Sequence, residues 1–136
     1  MKLSILTATY NRGELLKELY KSIYRNLISE LEIEWIIVDD GSNDDTKDIV
    51  IDFIKRNKFE IRYFYQKNAG KMAAINKAAE EATGELIVDC DSDDYFKDGA
   101  FKAIYDNAGF LFGNHELYAL CFLKTNTNRR VIRQNI

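Results

Sequence analysis

The feature that most limits what this chain can become is an alternation. Short apolar runs rich in β-branched residues are each followed by a longer run with apolar residues at helical spacing. "KLSILTAT" reads as a strand, after which Leu15, Leu16, Leu19, Ile23 and Leu27 recur at helical intervals. "IEWIIVDD" reads as a second strand and "DDTKDIVIDFIKRN" as a helix whose apolar stripe is Ile49, Val50, Phe53 and Ile54. "EIRYFYQ" is a third strand, and "GKMAAINKAAEEATG" is an Ala-rich helix expected to end with Gly84 as its C′ residue. "ELIVDC" follows as a fourth strand, residues 98–108 as a fourth helix, and "ELYALCFLKTN" and "RRVIRQNI" as two further strands. Trp35 and the aromatic "YFYQ" read as core. Strands alternating with helices of this length imply βαβ units, hence an α/β domain with a mostly parallel central sheet and helices on both faces.

Right-handed crossovers put the C-terminal end of every parallel strand on one edge, where open α/β sheets bind ligands. The sequence gathers its polar clusters there: "ATYNR", "DDGSNDDT", "KNAGK" and "DCDSDD" after strands one to four. The last lies within "GELIVDCDSDDYF", which crowds Asp89, Asp91, Asp93 and Asp94 at a strand end. Carboxylates so close raise one another's charging cost unless a cation sits among them, or unless they remain a solvated turn that caps the next helix. On an extended segment, residues two apart point the same way, so Asp91 and Asp93 can face one ion. An oxygen-only ligand set with room for water suits Mg²⁺ or Mn²⁺. The first strand-to-helix turn, "TATYNRGE", has a single Gly13 and carries neither the dinucleotide fingerprint nor a P-loop. A phosphorylated ligand would therefore need another source of positive charge, which a metal on Asp91 and Asp93 supplies.

With 136 residues the chain has room for a single domain, expected to span 1–136. Its net charge of −3, with both signs mixed, offers no basic field for nucleic acid. No apolar run reaches the ~20 residues of a membrane helix, so no integral membrane segment is expected. "MKLSILTATYNR" does not read as a secretory leader, and a cytoplasmic location is expected, with peripheral attachment to a membrane left open. Cys90 and Cys121 lie in apolar runs and read as buried thiols; His115, after "GN", reads as a surface loop residue.

Four segments together carry a family resemblance: "LSILTATYNR", "IEWIIVDDGSNDDT", "NAGKMAAINKAAEEATGELI" and "DCDSDDYF". Their order and spacing over residues 3 to 105 resemble the family 2 glycosyltransferases. That resemblance implies the GT-A fold, a Rossmann-like nucleotide-diphospho-sugar-binding architecture, here expected to be incomplete at the C-terminus. It also implies an inverting enzyme of polysaccharide biosynthesis that uses a nucleotide-sugar, commonly a UDP-sugar, with Mn²⁺ or Mg²⁺. The partners it implies are that donor and a saccharide or lipid-linked acceptor.

Carried over by position, the resemblance gives Asp40 the role of accepting a hydrogen bond from the nucleobase, which a carboxylate can do toward the ring N–H of uracil. Asp40 through Thr46 is equally a turn and helix start, with Ser42 or Asp44 as N-cap. Asp39 either shares the site, orients its neighbour or bonds the backbone. Ala8, Thr9, Tyr10 and Arg12 match the segment lying against the base, with Ala8 where relatives carry Pro. Lys71 matches a position that reaches the nucleotide, although a solvated first-turn lysine fits as well, and Asn76 follows about a turn later. Asp93 becomes the principal metal ligand, with Asp91 on the metal or the ribose and Ser92 beside them. Asp94 is assigned to capping the next element and Asp89 to nearby backbone. The resemblance implies a catalytic base downstream, on a segment after the acceptor-facing strands, so that base is expected beyond Ile136; no Asp or Glu follows Glu116. Two further readings compete: a module that binds the donor without transfer, and a metal-dependent phosphoryl-transfer domain.

Overall fold

The structure, a computed structural model, describes residues 1–113 except Asn57. Among these the element order is β1 (Lys2–Thr9), α1 (Gly13–Asn26), β2 (Glu32–Asp39), α2 (Thr46–Arg56), β3 (Glu60–Tyr65), α3 (Lys71–Glu81), β4 (Leu86–Asp89) and α4 (Ala100–Phe112). The four strands form one sheet in the order β3-β2-β1-β4, and every pairing is parallel. By compactness the chain divides into Met1–Tyr105 and Asp106–Ile136, and the whole sheet belongs to the first unit. The two C-terminal strands expected from sequence, together with Cys121 and His115, lie outside the described residues.

Side-chain alternation explains how the sheet finds its two layers. Leu6, Ile36 and Val38 face α3, where Ala74 and Ala78 are small enough to let the helix approach closely. Trp35 faces the other way, stacking on Phe53 of α2, which stacks on Tyr20 of α1. The Trp35 indole donates to Thr7 Oγ1, which in turn donates to the carbonyl of Cys90, so one buried chain of hydrogen bonds ties β2, β1 and the end of β4. Helices therefore cover both faces, as the alternation implied.

The differences from expectation have local causes. α3 stops at Glu81 with Ala82 in an extended conformation, so Gly84 is not its C′ residue. Gly84 is instead a close-approach glycine: a Cβ there would lie 2.6 Å from Ser4 Oγ and 2.8 Å from the Lys2 carbonyl oxygen. The fourth helix starts two residues later and runs further than the expected 98–108. Trp35 is core, but β3 is an edge strand among the described residues, and its aromatics are only half-buried, with Tyr65 58% exposed. Leu15 and Ile54 fit the helical spacing yet face solvent.

At the opposite edge from the polar clusters lies Glu34, fully buried at the start of β2. Its Oε1 accepts from Ser4 Oγ and from the Thr83 amide, each at 2.6 Å; Thr83 Oγ1 also donates, and Lys2 and Arg62 lie 3.4 and 3.6 Å from Oε2. Burial alone would raise this carboxyl, but the donors from Ser4 and Thr83 and the Lys2 charge outweigh it and hold it down to about 2. Because the folded value lies below the unfolded one, the stabilisation is complete above about pH 4.5 and is lost as pH falls toward 2. Glu34→Gln should cost about 3 kcal/mol in urea unfolding at neutral pH, and it should flatten the acid limb of stability against pH between those values.

Candidate functional site

The chain leaves β1 toward β2 and β3 on one side, then returns to place β4 on the other, so the strand order reverses between β1 and β4. Loops diverge at such a point and leave a crevice. Here it is an open cleft of about 400 Å³ lined by Ala8, Thr9, Tyr10, Arg12, Asp40, Lys71, Asp91, Ser92 and Asp93. All nine are residues singled out from sequence. Asp39 lies beside the cleft rather than in its lining, and Asn76, on the second turn of α3, is exposed and also outside it. A hollow of similar size between α1 and α2 shows no such convergence: Lys17, Lys21 and Arg56 pair there with Glu14, Glu18 and Asp52 of their own helices.

The neighbours Asp39 and Asp40 go to opposite faces because the backbone is still extended there. The Asp40 amide donates to the Thr9 carbonyl and the Gln66 amide to that of Asp39, continuing the ladder past the strand ends. Asp39 turns toward α1 and α2, accepting from the Ser42 amide and from the Tyr63 hydroxyl. Burial, then the Asp39 hydrogen bond and charge, push the Tyr63 phenol far above its ordinary value. Ser42 Oγ in turn accepts from the Asn11 amide, and Asn11 Oδ1 from the Asn43 amide. Asn11 holds φ 51, a left-handed conformation that Asn tolerates better than most residues. This lattice ties the loop carrying Tyr10 and Arg12 to the loop after β2. It was not legible beforehand, although the shared facing of Tyr63 and Asp39, two register pairs apart, could have signalled it.

Asp40 turns toward α3 and is 5% exposed. Its Oδ1 accepts from Gln66 Nε2 at 2.8 Å and from the Ala69 amide at 2.7 Å; its Oδ2 accepts from the Gly70 amide at 3.0 Å. Desolvation opposes ionisation, but these three donors win and lower the carboxyl below its ordinary value. Asp40 thus fastens the loop that delivers Lys71, the first residue of α3, into the cleft. Gly41 beside it holds φ +93 and leaves no room for a Cβ, which would lie 2.9 Å from the Asn68 amide nitrogen. At the start of α2, Asp44 rather than Ser42 serves the helix, accepting from both the amide and the hydroxyl of Thr46.

The acidic cluster converges by a different geometry from the extended one expected. The Cys90 amide donates to Leu6, and the Asp94 amide then donates back to the Asp91 carbonyl, so residues 91–94 make a turn. That turn brings Asp94 in as well. One carboxylate oxygen from each of Asp91, Asp93 and Asp94 lies within 4.8 Å of the others, which fits a hard divalent ion with oxygen ligands. Asp94 was assigned to capping, but α4 begins only at Ala100, whose amide is met by Asn26 Oδ1. Lys71 donates to Asp91, and Arg12 lies 3.6 Å from Asp93. The hydrogen bond to Asp91 raises the Lys71 pKa despite an opposing desolvation, while Asp89 is pushed up by desolvation and then by the Asp91 charge. Thr9 Oγ1 is the one buried side-chain polar atom without a partner among the described residues, and it belongs to a lining residue.

A parallel sheet with helices on both faces and a polar cleft at its switch point defines the class to compare with known proteins. A model of glycosyl transferase family 2 matches residues 4–133, and the chain belongs to that family. It is 35% identical over 83% of its length to the GalNAc(5)-diNAcBac-PP-undecaprenol β-1,3-glucosyltransferase of Campylobacter jejuni, 38% of which is covered. The Staphylococcus aureus enzyme TarS, in complex with UDP-GlcNAc, superposes with a TM-score of 0.72 at 33% identity, covering 85% of this chain and 32% of that one. The mannosyltransferase PcManGT of Pyrobaculum calidifontis, in complex with GDP-Man and Mn²⁺, gives 0.62 at 28% identity, covering 69% and 28%. The chain spans between 15% and 38% of the length of the curated relatives it matches. No helix among the described residues is long and apolar enough to cross a membrane.

If Asp40 is the fastening of the α3 loop, Asp40→Asn should destabilise the protein by ~1–3 kcal/mol, because an amide cannot accept at both ends. Hydrogen exchange at the Ala69 and Gly70 amides should accelerate more than exchange in β1. Unchanged protection of both amides would remove Asp40 from that role.

Proposed function

We propose that residues 1–136 act as the donor-binding domain of a metal-dependent, inverting glycosyltransferase that moves a sugar from a UDP-sugar to a hydroxyl of a saccharide or lipid-linked acceptor. The observation that carries this reading is the coincidence, in one switch-point cleft, of Asp91 and Asp93 (with Asp94 within reach of both), the cations Arg12 and Lys71 and the unpartnered Thr9 hydroxyl. A nucleoside diphosphate asks for that combination: charge compensation for its phosphates and hydrogen-bonding groups for its base. TarS in complex with UDP-GlcNAc supports UDP as the nucleotide. PcManGT in complex with GDP-Man and Mn²⁺ supports a metal.

The residues take roles set by their surroundings. Asp91, Asp93 and Asp94 would hold Mn²⁺ or Mg²⁺, which when bound offsets the negative charge that develops on the departing diphosphate. Tyr10, exposed at the rim, offers a flat face for the base, with Ala8 leaving space beside it. Asp40 has a lone pair left on Oδ2 after meeting Gly70, and that acceptor suits the uracil ring N–H. Thr9 contributes its hydroxyl and Ser92 lies beside the acidic residues, while Asp39 and Asn76, which the family assignment also carried over, lie outside the cleft lining. Lys71 and Arg12 supply positive charge toward the phosphates.

Inversion rests on product names. The C. jejuni relative is a β-1,3-glucosyltransferase and TarS a β-N-acetylglucosaminyltransferase, and a β product from an α-linked nucleotide donor requires one displacement at the anomeric carbon. The acceptor oxygen forms its bond to that carbon as the bond to the diphosphate oxygen breaks. The acceptor's proton leaves to a general base.

Calorimetry with UDP and Mn²⁺ tests the donor site. Asp93→Asn should weaken metal-dependent UDP binding at least tenfold, about 1.4 kcal/mol, with little effect on fold stability because its side chain is half exposed. An unchanged affinity in Mn²⁺ would take Asp93 out of the site. Affinity for GDP equal to that for UDP would remove the base assignment.

A further inference from the structure

Of the charged groups in the cleft, Lys71 and Arg12 are held most unusually for residues meant to meet phosphate. Each is engaged by one of the carboxylates expected to hold the metal: Lys71 by Asp91, Arg12 by Asp93. They approach from different loops, Arg12 from the N-cap position of α1 and Lys71 from the start of α3. A lysine in the first turn of a helix opposes the macrodipole, so an ion pair is a physical reason for its holding this position. The Lys71 side chain is 58% exposed, free enough to swing, while its backbone is pinned through Gly70 to Asp40.

We infer that Lys71 and Arg12 are stand-in cations for the acidic turn, displaced when a divalent ion binds and thereby released toward the donor's diphosphate. This deepens the donor-site reading and rests on it. An acidic turn without a cation among its carboxylates would repel itself; the two side chains cancel part of that charge. A divalent ion must take the same carboxylates, so metal and Lys71 compete for Asp91. The freed ammonium then lies on the wall of the cleft that receives the phosphates. Metal and nucleotide binding are in consequence coupled through the side chains, each easier in the presence of the other, beyond any direct bond between phosphate and metal.

The competition gives a sign that a purely structural or purely phosphate-binding lysine does not. Lys71→Met, titrated with Mn²⁺ alone and followed by the electron paramagnetic resonance of the free ion, should bind Mn²⁺ roughly twofold to fivefold more tightly than the native chain, the range set by an exposed ion pair. The same variant should show weaker UDP binding and a smaller gain in Mn²⁺ affinity when UDP is added. Lys71→Arg, which keeps the charge, should stay near native affinity. Lys77→Met is the control for general field effects, because Lys77 lies on α3 over the Phe64 ring and outside the cleft lining, and it should shift Mn²⁺ binding far less. A native chain that binds Mn²⁺ with an affinity that Lys71→Met leaves unchanged or weakens overturns the exchange and leaves the donor-site reading standing. Failure of native and variant alike to bind millimolar Mn²⁺, with or without UDP, overturns the metal site itself and the exchange with it.

Discussion

Everything in the first unit depends on β1 pairing in parallel with both of its neighbours, β2 on one side and β4 on the other. Parallel pairing forbids hairpins, so each connection must cross over the sheet, and the crossovers bring every strand end to one edge. The reversal of direction at β1 then opens the cleft between the loops after β1 and β4. Buried hydrogen bonds hold that reversal in place: Trp35 to Thr7, Thr7 to Cys90, and Cys90 back to Leu6. The acidic turn starts at the next residue, so its position inherits the rigidity of the central strand.

The two ends of the sheet treat carboxylates in opposite ways. At the far edge Glu34 is buried and fully matched by donors, which makes it a clamp between β1, β2 and the segment before β4. At the cleft edge Asp40 is matched just as closely, but Asp91 and Asp93 are met by exposed lysine and arginine tips, with the Asp94 carboxylate close beside them. A buried carboxylate with backbone donors is fixed at low cost, whereas a cluster balanced by exposed cations can exchange them for another ion. That contrast separates the carboxylates that shape the fold from those proposed to serve a ligand.

Asp40 sits between these roles. Its burial and its bonds to Gln66, Ala69 and Gly70 make it part of the scaffold, yet it lines the cleft. The proposed base contact and the fastening of the Lys71 loop therefore share one carboxylate. The family's pairing of "VDDGS" with "NAGK" acquires a physical meaning here: the second Asp of one motif accepts the backbone amides of the other.

The sequence by itself determined the strand and helix alternation, the parallel sheet, the edge that carries the cleft and the family, because these are set by period-two and helical hydrophobic spacing and by motifs in register. It also named every residue lining the cleft. What it left to the tertiary structure were distances between segments far apart in the chain. The turn that adds Asp94 to Asp91 and Asp93 depends on a backbone bond no local pattern announces. The place of Gly84 is set by Ser4 and Lys2, some eighty residues earlier, and not by the helix before it. Tyr63 read as core because aromatics in strands usually are, but among the described residues β3 lies at the sheet edge, and the Tyr63 phenol is spent on Asp39 instead. Local propensity can fix which face a side chain points to; only the packed fold decides what it meets there, since that partner arrives from another strand.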